Sequence, residues 1–203
     1  IVTSQFPPYC KSLGGVIRLV SFSKKLLQNN CSVTVLSKKN NDFNYFGYKN
    51  IIKEIDLSYV NDTYKPVKTA YKENKFKSKN LLVKIKVLLS RFGIDYNTPY
   101  LLKYLHKIYL LNKKIHLDTI IISVPPFSLF LLVFGVRFFF KKKIIFDYRD
   151  GWNTRFKFNN NILFLISRFI EKNALRFTDE IITSTKVIKE DLAYHFGINK
   201  KKI

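Results

Sequence analysis

Short runs of β-branched and aromatic residues recur along the chain, each followed by a longer stretch whose apolar positions fall at helical spacing. That alternation constrains the fold more than any other feature. Strands separated by helices assemble into a parallel sheet with helices across its faces, an α/β architecture. Strands are predicted over residues 1–3, 32–36, 118–123, 143–146 and 180–183, with a shorter one at Ile51 and Ile52. Helices are predicted over 16–29, 81–92, 100–112, 127–140, 162–177 and 186–196, the last closed by Gly197 as its cap.

One strand end carries an unusual density of chemistry. The apolar run Ile144, Ile145, Phe146 stops in Asp147, Tyr148, Arg149, Asp150, Gly151 and Trp152. Open α/β sheets bind ligands at the carboxyl ends of their strands, so two carboxylates, a guanidinium and an indole at that position point to a site. An Asp-rich turn with a structural Asp–Arg pair is the competing reading of the same residues. Other strand ends supply further candidates. Gly14 and Gly15, between the first strand and first helix, let a ligand approach the backbone, and the helix start behind them favours an anion. Arg18 lies one turn further on. Thr183, Ser184 and Thr185 offer hydroxyls at the same sheet edge, with Ser184 or Thr185 also suited to capping the following helix. The turn Ser123, Val124, Pro125, Pro126 reads as a rigid connection.

Composition removes several function classes. The net charge is +22, which favours phosphate-rich partners or an anionic membrane face. However, Lys outnumbers Arg 29 to 7 and the excess is spread over the whole chain. No cluster of arginines with interleaved aromatics suggests base reading, so no specific nucleic acid is expected. Cys10 and Cys31 have neither metal nor disulfide-framework spacing, and Cys31 is expected as a small buried hydrophobe in a strand. A reducing, cytoplasmic setting fits. His106, His116 and His195 share no spacing, and no P-loop or metal cluster is visible. The chain contains no Met, opens inside a strand and stops without a turn, which predicts a piece of a longer protein.

Taken together these segments resemble the N-terminal half of a family 4 glycosyltransferase of the GT-B fold. Phe6, Pro7, Pro8 through Gly14, Gly15 and Val16, then Leu26 and residues 33–36, resemble that family's first loop, helix and second strand. Asp147, Arg149, Asp150 and Trp152 resemble the Asp-x-Arg-Asp-x-Trp of its bacterial surface-polysaccharide subgroup, with Gly151 where Pro or Leu is more usual. Residues 171–203 resemble its closing helix, strand and helix. The resemblance implies one Rossmann-like domain over 1–203, a parallel sheet with helices on both faces, on the acceptor side. The C-terminal nucleotide-sugar domain is absent, and the fragment alone is expected to be inactive.

It further implies retaining transfer from a nucleoside-diphosphate sugar to a saccharide or lipid-linked acceptor, with no cofactor and no obligatory metal. Asp150 is the first catalytic candidate, with Arg149 beside it. Gly14, Gly15, Arg18, Asp147, Trp152 and Ser184 are the candidate substrate contacts, Asp147 also orienting Arg149. The alternative is a non-catalytic basic module on an anionic membrane surface, peripheral at the inner face of the cell membrane. Its anchor would be the amphipathic run 81–92, where Lys84, Lys86 and Arg91 border an apolar face.

Overall fold

The computed structural model describes residues 1–10, 15–39, 52–61, 98–153 and 162–203. These contain α1 (Val16–Gln28), β1 (Thr34–Lys39), β2 (Asp56–Asn61), α2 (Leu101–Ile115), β3 (Thr119–Val124), α3 (Leu129–Phe140), β4 (Lys143–Tyr148), α4 (Ile162–Phe177), β5 (Glu180–Thr183) and α5 (Lys186–Phe196). β1 pairs in parallel with β2, and β3, β4 and β5 pair in parallel in that order.

The first three residues join the two groups. Val2 bridges Leu36 of β1 and Ile122 of β3, both in parallel. Its amide donates to Ile121 O at 2.7 Å and its carbonyl accepts from Ser123 N at 3.0 Å, while Thr3 N donates to Leu36 O at 3.0 Å. With this segment numbered first, the spatial order of the strands is 3-2-1-4-5-6, the order of a doubly wound Rossmann sheet. The fold is a Rossmann-like α/β sheet.

Side chains alternate across a strand, so each strand feeds two cores. On one face α2, α3 and α4 cover Leu36, Ile122, Ile144 and Phe146 with Tyr104, Ile108, Phe130, Val133, Ala174 and Leu175. On the other, α1 lays Val16, Leu19 and Val20 against Val33, Val35 and Phe6. Helices therefore lie on both faces, as the alternation requires. The helix stop signals also hold: Thr185 caps α5 by accepting from Ile188 N at 3.2 Å, and Gly197 ends it with φ 63°. No helix among the described residues is long and apolar enough to cross a membrane.

Three expectations need correction or qualification. Cys31 is exposed and stands ahead of β1, which starts only at Thr34, while Cys10 is the buried cysteine. The β-branched run begins two residues downstream at Val33, and strand pairing begins one residue later still. Of the short strand expected at Ile51 and Ile52, Ile51 lies outside the described residues and Ile52 is helical, while the strand of this region is Asp56–Asn61. That strand is half polar and, among the described residues, pairs with β1 alone, so its apolar signal is weak. The helix expected over 81–92 lies outside the described residues, as does Gly14.

Candidate functional site

The strand order reverses between the first segment and β3, and the crevice at such a reversal is where open α/β sheets bind ligands. The carboxyl ends of the first segment, β3, β4 and β5 meet there. On β4, Phe146 and Tyr148 point into the core under α3, so pleating turns Asp147 to the opposite face, toward α1.

Asp147 is buried and doubly held. Its Oδ1 pairs with Arg18 Nη2 at 2.6 Å, and its Oδ2 accepts from Ser123 Oγ at 2.7 Å. Burial raises its pKa above the usual carboxylate range, against the hydrogen bond from Ser123 and the charges of Arg18 and Arg149 that pull it down. The ion-pair partner of Asp147 is thus Arg18 and not the Arg149 expected from the strand. Arg18 leans over the sheet edge from the first turn of α1, and its buried Nη1 makes no hydrogen bond among the described residues. The N-cap of α1 is Gly15, which provides no side-chain cap to the helix amides behind it. The amino end of α1 brings its partial positive charge to this side of the crevice, where the Arg18 guanidinium is paired with Asp147.

Arg149 fastens the edge together. Its Nη1 donates to Gly15 O at 2.6 Å, its Nε to Val124 O at 3.2 Å and its Nη2 to Pro125 O at 3.2 Å. Ser184 Oγ donates to the Arg149 carbonyl at 2.6 Å. One residue therefore ties α1, the end of β3 and the loop after β5. Burial lowers the Arg149 pKa, with Asp147 and Asp150 holding it up. Gly15 is required by this arrangement: a Cβ there would overlap Arg149 Nη1 and lie 3.3 Å from its Cζ. The close approach that the glycine permits is made by Arg149. Ser184 likewise faces backbone, and Asp150, next along the chain, is exposed.

Trp152, expected at the substrate, is 3% exposed and sits in the core. Its ring stacks on Phe127 at 5.2 Å and 9°, and packs on Phe130 at 5.3 Å. Of the expected residues, the structure brings together Gly15, Arg18, Asp147, Arg149 and Ser184, and it sends Trp152 inward.

Sequence reasoning missed the polar group beneath this loop. Glu171 of α4 is fully buried and accepts from Tyr148 Oη, from Asn153 Nδ2 at 2.5 Å and from Asn153 N at 3.2 Å. Ser167 donates to Asn153 Oδ1 at 2.8 Å, and Trp152 N donates to Tyr148 Oη at 2.8 Å. Burial pushes the Glu171 carboxyl up to about 7, against the donors that hold it down. One carboxylate thus pins the loop 149–152 at both ends. A usable signal was present, since Ser167, Glu171 and Ala174 share one helix face.

Compared with models of known protein families and with curated proteins, the chain matches none.

Proposed function

We propose that this chain is the acceptor-side domain of a retaining glycosyltransferase that takes its sugar from a nucleoside-diphosphate donor. The observation that carries the reading is the gathering of both signs of charge near the switch point: Arg18 and the amino end of α1 meet Asp147 there, and the exposed Asp150 follows Arg149, which is tied to Gly15 at the start of that helix. Glycosyl transfer needs both. The leaving diphosphate gains negative charge, which a helix amino end and a guanidinium stabilise. The anomeric carbon gains positive charge, and a carboxylate beside the ring stabilises it or orients the acceptor hydroxyl. In this reading Asp150 contacts donor sugar or acceptor, and Arg18 faces phosphate. Asp147, Arg149 and Ser184 are positioning residues. The acceptor is a saccharide or a lipid-linked saccharide.

The test is transfer of label from a panel of radiolabelled nucleoside-diphosphate sugars to saccharide and lipid-extract acceptors, using the protein that carries this domain. Transfer with retained anomeric configuration supports the reading. Neither transfer nor donor hydrolysis with any sugar of the panel overturns it.

A further inference from the structure

The first turns of helix α4 are built inside out for a helix in water, whereas its second half sends Ala174 and Leu175 into the core. Its outward stripe is Ile162, Leu165, Ile166 and Phe169, exposed by 70%, 56%, 42% and 68%. Its inward face over the same turns carries Ser167 and Glu171, both buried. Rotating the helix would bury the stripe but strand Glu171 away from Tyr148 and Asn153, so the polar group locks the apolar stripe outward. The neighbouring helices follow the same pattern. Eleven of the fourteen large apolar side chains exposed among the described residues lie on α2, α3 and α4, with Phe138 and Phe139 of α3 at 77% and 67%.

The charge on these helices is one-sided. They contain eight Lys and Arg and a single carboxylate, Glu171, which is buried. Arg137 is engaged by Asp179, and Arg168 by the carbonyl of His195, but Lys103, Lys113 and Lys114 are exposed. Helix dipoles account for lysines near helix carboxyl ends, but they do not account for Phe and Leu held in water beside them. All three helices pack on one face of the sheet, so their exposed sides point the same way.

We propose that this outer face of the α2–α3–α4 layer docks on an anionic lipid bilayer. The apolar side chains enter the boundary between headgroups and acyl chains, while the lysines meet lipid phosphates. A second copy fits poorly, because a two-fold contact would set cations against cations without an exposed carboxylate on these helices to separate them. Nucleic acid would use the charge and leave the aliphatic stripe in water. The inference rests on this face alone and is independent of the glycosyl-transfer reading.

Flotation with vesicles of phosphatidylcholine, alone or mixed with phosphatidylglycerol, tests it. Binding is expected only to the mixed vesicles and weakens as salt rises. The double variant Leu165→Ser, Phe169→Ser should lose about tenfold or more, and Lys113→Glu, Lys114→Glu at least about fivefold per lysine. Lys24→Glu, Lys25→Glu, on α1 across the sheet, carries the same charge change and should bind as the parent chain does. In a Phe169→Trp variant, tryptophan emission should shift to the blue on vesicles and be quenched by brominated lipid. Thermal melts check that each variant is folded. Equal losses in the α1 and α2 charge variants overturn the proposal, since charge would then act without a face. Full binding by the folded Leu165→Ser, Phe169→Ser variant also overturns it. So does self-association in vesicle-free sedimentation that this variant abolishes, if vesicles do not bind.

Discussion

Arg149 Nη1 lies 2.6 Å from the carbonyl oxygen of Gly15, across 134 residues of chain, and the space of a missing Cβ is what admits it. This contact decides how the sheet edge closes around the crevice. Gly15→Ala should displace the guanidinium and destabilise the fold by about 1–3 kcal/mol, the range for overpacking. Arg149→Ala should cost a comparable amount by taking the side-chain donor from the Gly15 and Pro125 carbonyls and leaving Val124 O with the backbone amide of residue 149 alone. Because both changes break one arrangement, the double variant should cost less than the sum by about 1 kcal/mol. Urea unfolding of the four proteins checks it, and strict additivity would mean that the two residues do not meet.

Removing Arg18 leaves a buried carboxylate with Ser123 as its closest support. Breaking a buried pair costs about 3–5 kcal/mol, and the partial exposure of Arg18 brings the expectation for Arg18→Ala to about 2 kcal/mol. The Asp147 carboxyl, already raised by burial, should titrate still higher in the variant, since Arg18 is one of the groups pulling it down. Carboxyl-carbon NMR of Asp147 reads this directly, and a downward shift would contradict the pairing.

Glu171 makes stability depend on pH. Its carboxyl stands at about 7 in the folded protein against 4.5 ordinarily, so the native state holds an extra proton between those values. Stability from this group is complete below about pH 4.5 and falls as pH rises through about 7, by on the order of 3 kcal/mol. Glu171→Gln should flatten that part of the profile. Urea midpoints at a series of pH values test it, and a parent profile that rises over this window would show the sign to be wrong.

Asp150→Asn, in the protein that carries this domain, should cut sugar transfer by about 10²-fold, the scale of one lost acid-base or electrostatic contact. The exposed side chain packs against no core, so thermal stability should stay within about 0.5 kcal/mol. Unchanged turnover in a folded variant would remove Asp150 from the reaction.

Trp152 is the single tryptophan of the chain and reports on this loop. Its stacking on Phe127 and Phe130 predicts emission typical of an apolar site, moving to the red on unfolding. Trp152→Ala should cost about 3–5 kcal/mol. Efficient quenching of the native chain by iodide would place the indole outside the core.

What the sequence determined by itself was the kind and order of most elements among the described residues. β-branched runs such as Ile120–Ile122 and Ile144–Phe146 specify strands, apolar spacing specifies the helices between them, and Thr185 and Gly197 delimit α5 through local hydrogen bonds and backbone geometry. These are short-range properties, carried by residues a few positions apart. The strand-end location of Asp147, Arg149, Asp150 and Ser184 was legible for the same reason. Partnership was not. Periodicity tells which face a side chain occupies, but not what stands opposite after the chain has folded back over a hundred residues. Only tertiary structure gave Asp147 to Arg18, set Arg149 on the Gly15 carbonyl, drew Trp152 into the aromatic core and buried Glu171 under the loop. The last of these overrode the apolar pattern of α4. A buried carboxylate stranded without donors is costlier than apolar side chains left at the surface, so the polar contacts fixed the helix rotation and turned its stripe outward.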